Sequence, residues 1–90
     1  MCEKYPKRPE RIRFQELPEE NELMLVDEEK GEARVLNADA GGVWLLCNGK
    51  RNEDDMVAVL KDVFPKLADA EIRERLNETL AFLREQGLLK

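Results

Sequence analysis

The chain has 90 residues, 42% hydrophobic and 39% charged, with a formal net charge of -5. Such a length builds one core of roughly 20 side chains and excludes a second domain or a deep enclosed active site. The composition excludes a disordered chain, and no apolar run approaches the ~18 residues of a membrane span.

Charge is uneven. Residues 1–17 hold five Lys/Arg against three Glu (+2), which leaves -7 on the remainder. An acidic body repels phosphate backbones and steers basic or apolar partners toward it. Residues 1–10 carry Pro6 and Pro9 among charges and read as an extended N-terminal arm, with a single domain over 11–90. No apolar segment of roughly 7 to 15 residues follows the initial charges, so the sequence shows no secretory signal and a cytoplasmic protein is expected.

Arg11-Ile12-Arg13-Phe14-Gln15 alternates as a short strand with one apolar face, and Pro18-Glu19-Glu20-Asn21 breaks it. Leu23-Met24-Leu25-Val26 is a second strand. Asp27 to Gly31 makes a hairpin loop with glycine at hand for a positive φ, and Glu32 to Leu36 returns as the third strand. Asn37 or Asp39 can cap the next helix, whose Ala40, Val43, Trp44 and Cys47 recur at helical spacing. Gly41-Gly42 in its first turn costs roughly 1 kcal/mol per glycine relative to alanine, so either something approaches closely there or the helix starts late.

Asn48-Gly49 ends this helix, and Asn52 caps a second with Glu53, Asp54 and Asp55 at its positive end. Met56, Val59, Leu60 and Val63 are its expected inner face. Pro65 stops it, Asp69 caps a third helix, and Ile72, Leu76, Leu80 and Leu83 form the longest apolar stripe before Gly87. Leu88-Leu89 then folds back or packs the end. The order predicts an α+β fold: a three-stranded antiparallel sheet followed by a three-helix bundle.

Catalytic chemistry has little support. The carboxylate pairs sit on loops and helix starts with no histidine in the chain to tune them, and no phosphate-binding glycine loop or nucleophile elbow is present. Cys2 and Cys47 lack metal-ligand spacing; Cys47 reads as a small buried hydrophobe and Cys2 as part of a mobile tail. Trp44 belongs to the core stripe rather than to a ligand site. We therefore expect no enzyme, no cofactor and no metal.

Two binding readings remain. The helix order and a basic patch of Lys4, Lys7, Arg8, Arg11 and Arg13 suggest a winged-helix DNA-binding regulator. Ala70 to Gln86, however, holds four Glu against three Arg, a poor surface for a polyanion. The other reading is peptide recognition. The third strand, Ala33, Arg34, Val35 and Leu36, is the candidate edge onto which an extended peptide adds. Projected at about 100° per residue, Arg75, Thr79 and Phe82 fall beside the core stripe of the third helix. Phe82 either floors a groove there or widens the core contact; the opposite flank carries Arg73, Asn77 and Arg84.

Val35-Leu36-Asn37, the turn Leu46-Cys47-Asn48-Gly49-Lys50-Arg51-Asn52 and the closing Leu83-Arg84-Glu85-Gln86-Gly87-Leu88-Leu89 resemble the PqqD family, named for pyrroloquinoline quinone biosynthesis. The family pattern has a "vLN" strand end, an "LCDGxRT" turn and a terminal "LxxxGLL", and the resemblance runs from Arg8-Pro9 onward. Asn48 stands where the family usually has Asp, and Asn52 where it has Thr. The resemblance implies a winged-helix-like recognition element for ribosomally synthesised, modified peptides. Such a domain is a non-catalytic chaperone that binds a precursor leader peptide beside the third strand and third helix and delivers it to a radical SAM maturase.

Overall fold

The computed structural model describes residues 5–89. Cys2 and Lys4, invoked above, lie outside them. Three strands, β1 (Ile12–Leu17), β2 (Glu22–Asp27) and β3 (Glu32–Asn37), precede three helices, α1 (Ala38–Leu46), α2 (Glu53–Val63) and α3 (Asp69–Glu85). This is the expected α+β order. The sheet is antiparallel in the order β1-β2-β3, with Leu25 opposite both Phe14 and Arg34.

Turn chemistry sets the register. Asn21 and Gly31 take the positive φ values, 55° and 67°, that close the two hairpins. Asp27 organises the second turn: its carboxylate accepts the backbone N–H groups of Glu29 (3.1 Å) and Lys30 (3.2 Å) and the Arg11 Nε (3.2 Å). Alternation then sends Leu23, Leu25 and Leu36 into the core.

Asn37 is the cap of α1, its Oδ1 accepting from the Ala40 N–H at 2.8 Å. The helix begins at Ala38, so Gly41 is there for close approach: a Cβ at Gly41 would meet Leu23 Cβ at 3.0 Å, whereas Gly42 has nothing within 4 Å. Val43, Trp44 and Cys47 are buried as expected, and the Trp44 indole N–H donates to the Leu88 carbonyl at 2.9 Å, which fixes the C-terminal Leu88-Leu89 in the core.

A reciprocal capping box, Asn52 with Asp55, starts α2. Its buried face corrects the expectation. Met56 and Val57 are buried and Leu60 packs partly against the core, while Val59 is exposed and Val63, at the helix end, is 62% exposed. Asp69 does not cap α3 either: Ala68 holds the cap position without a side-chain bond, and the Asp69 carboxylate lies 3.6 Å from Lys61 Nζ instead. The α3 stripe of Ile72, Leu76, Leu80 and Leu83 is buried throughout.

Residues 5–10 lie along the α1–α2 turn. Arg8 N–H donates to the Cys47 carbonyl (3.0 Å) and Gly49 N–H to the Pro6 carbonyl (2.9 Å). The Arg8 guanidinium sits 5.1 Å from the Trp44 ring centroid and 5.8 Å from that of Phe14.

Candidate functional site

In the sheet, β3 pairs with β2 alone, so its far side offers unpaired backbone donors and acceptors. Ala33, Arg34 and Val35 are exposed, Val35 at 52%. The Leu36 side chain is buried in the core, so at this position the strand offers a partner its backbone alone. The strand is therefore anchored through Leu36 and Asn37 and exposed in its first four residues.

Helix α3 is tied to β3 at one end and stands off at the other. The Arg34 guanidinium donates to the Gln86 side-chain carbonyl, bridging the strand to the end of the helix. Beyond β3's last residue, Asn37, the structure opens into a groove of about 500 Å³ whose α3 wall is Arg75, Leu76, Thr79 and Phe82. Val43 of α1, together with Leu60 and Phe64 at the end of α2, supplies the apolar remainder, and Asp39 and Glu78 stand at its margin. The predicted Arg75, Thr79 and Phe82 thus meet in one groove, whereas Ala33 to Leu36 lie on the strand that leads to it.

Phe82 is 44% exposed, so it lines the groove and is not a core residue. Its neighbour Leu83 is fully buried, which shows how sharply α3 divides between core and groove faces. Phe64 was missed by sequence reasoning; the available signal was a large apolar residue directly before Pro65, beyond the end of the α2 stripe. The opposite flank of α3 is occupied: Arg73 bonds Glu53 at 2.8 Å and Asp54 at 2.9 Å, joining α3 to the start of α2.

Cations are distributed in a way that bears on partners. Arg11 and Arg13 are ion-paired with Asp27, Glu28 and Glu29, so they do not form an open basic patch. Among the described residues, neither Arg34 nor Arg75 has a carboxylate within ion-pair distance. Cys47 is inert by placement: burial pushes its thiol up to about 11 against the opposing pull of Arg8 and Arg84, and its Sγ donates to the Val43 carbonyl. Among the described residues no cluster of three His, Cys, Asp or Glu side chains is arranged to hold a metal ion. Nor is any helix among them long and apolar enough to cross a membrane.

The sequence profile of coenzyme PQQ synthesis protein D, PqqD, matches residues 22–89, from β2 to the buried C-terminal leucines. The chain belongs to the PqqD family. The PqqD match takes in β3, the groove and all of α3. The solved structure of TbiB1 in complex with the TbiA(beta) leader peptide has the same fold, with a TM-score of 0.77 at 17% identity over 93% of this chain and 94% of that one. Comparison with curated proteins gives no match.

Proposed function

We propose that this PqqD-family protein is a non-catalytic, cytoplasmic peptide chaperone. It binds the leader of a ribosomally synthesised precursor as an added strand on Ala33 to Leu36 of β3 and presents it to a radical SAM maturase. The observation that carries this reading is the free β3 edge running into a groove walled by Arg75, Thr79 and Phe82. Backbone pairing along β3 supplies affinity for any extended chain, and the apolar groove selects side chains. The fold shared with TbiB1, which was solved with a leader peptide, supports the same partner class. Coenzyme PQQ biosynthesis is the pathway the family name suggests.

DNA binding is the weaker reading. Arg11, Arg13 and Arg73 are engaged by carboxylates, and α3, the helix that would enter a groove of the duplex, carries more Glu than Arg, so it presents no cationic face to a polyanion.

The test takes the short precursor encoded nearest to this gene and a co-encoded radical SAM enzyme. The leader should bind saturably by fluorescence anisotropy, and adding this protein should raise the yield of modified precursor. A leader that fails to bind, together with a salt-sensitive gel shift on duplex DNA, would reverse the assignment.

A further inference from the structure

Arg34 differs from the arginines on and just before β1. Arg11 and Arg13 each hold a carboxylate, in a chain where acids outnumber bases 20 to 15. Arg34 lies on the inner face of β3, opposite Leu25, and is bonded to a neutral partner, the Gln86 side-chain carbonyl. Lys30 shares the small concavity around this contact and likewise has no carboxylate within ion-pair distance among the described residues. Glu32 also lines it without reaching Arg34. Asp27 lines it too, already held by Arg11. One end of the β3–α3 gap thus carries charges of both signs and is closed by a neutral hydrogen bond on Arg34, and the other is apolar and open.

We propose that the Arg34–Gln86 contact is an exchangeable latch and that Arg34 selects peptides carrying a carboxylate. An acidic side chain on the added strand replaces the Gln86 carbonyl on the guanidinium, exchanging a neutral acceptor for a charged, bidentate one. The proposal rests on the strand-addition reading and specifies its substrate class. Spacing follows from helix geometry. Phe82 and Thr79 lie four and seven residues before Gln86, about 6 to 10 Å along the axis of α3, which an extended strand covers in about two to three residues. Side chains on one face of a strand recur at every second residue. The selected peptide therefore carries Asp or Glu about two positions from a large apolar residue that enters the groove.

The probe is a displayed library of random linear peptides selected on the full-length protein, repeated on Arg34→Gln. Selection on the native protein should enrich an acidic residue at that offset from a Phe, Leu or similar anchor, and Arg34→Gln should keep the anchor while losing the acid. For a selected peptide, replacing its acidic residue by the amide should weaken binding about tenfold to the native protein and not at all to Arg34→Gln. Gln86→Glu, which supplies an internal carboxylate to Arg34, should weaken the acidic peptide and leave the amide peptide unchanged. Both positions are at the surface, and unchanged melting temperatures will confirm that the variants fold. Peptides that shift β3 amides but show no acid preference would overturn the latch and leave strand addition standing. Selected peptides that leave β3 amides unmoved would overturn both.

Discussion

Gly41 of α1 rests on Leu23 of β2 so closely that a methyl group at Gly41 would lie 3.0 Å from Leu23 Cβ. The obstructing atom is held by the strand backbone and cannot swing aside. Gly42, one residue on, is exposed with nothing within 4 Å. The two glycines therefore respond oppositely to alanine. Gly42→Ala should stabilise the protein by about 0.4 to 1 kcal/mol through helix propensity and a less flexible unfolded chain. Gly41→Ala should cost about 1 to 3 kcal/mol from overpacking that separates α1 from the sheet. Denaturant melts of the two variants measure both signs.

Phe82 and Leu83 form a second contrasting pair, one on the groove and one in the core. Phe82→Ala should weaken leader binding by about 1 to 3 kcal/mol, as for an interface anchor, with little change in melting temperature. Leu83→Ala should cost about 2 to 5 kcal/mol of folding stability, enough to threaten a domain of this size. Thermal melts beside anisotropy titrations separate the two effects.

Asp27 makes stability depend on acid. Desolvation pushes its carboxyl upward, but the Lys30 and Glu29 N–H groups and the Arg11 guanidinium outweigh that and hold it below the usual carboxylate range. A depressed carboxyl contributes stability that is complete above its unfolded value and is lost as pH falls through the lower folded one. Asp27→Asn should therefore melt lower than the native protein at pH 7 and show a shallower further decline toward pH 3, read from melting temperature against pH.

Cys47 should report unfolding. With its thiol pushed up to about 11 and fully buried, it should resist iodoacetamide at pH 8 in the native state and react once denaturant opens the core. Mass spectrometry of a Cys2→Ser variant isolates that signal; rapid native labelling of Cys47 would contradict its placement.

The second strand was legible as a continuous apolar run, Leu23 to Val26, bounded by turn residues, and α3 because Ile72, Leu76, Leu80 and Leu83 recur at helical spacing. Periodicity failed where tertiary placement decides. Val63 lies on the Met56 side of α2, yet at the helix end it is exposed. Asp69 is a good cap by residue type, but an ion pair with Lys61 engages its side chain. On α3, angular projection placed Arg75, Thr79 and Phe82 together, and they do share a wall. The wall facing them is built by Val43, Leu60 and Phe64 from two other helices, a juxtaposition no single-helix projection contains. Arg34's bond to Gln86 joins residues 52 positions apart and had no local signal.

The proposed strand addition makes a leader peptide the fourth strand on β3. Its most direct test is an amide NMR titration of isotope-labelled protein with the leader of the co-encoded precursor, combined with hydrogen exchange in the bound state. Amides of Ala33 to Leu36 and of α3 around Thr79 and Phe82 should shift together, and exchange along β3 should slow as its free edge becomes paired. Shifts confined to loops, or to β1 on the far edge of the sheet, with β3 exchange unchanged, would contradict it.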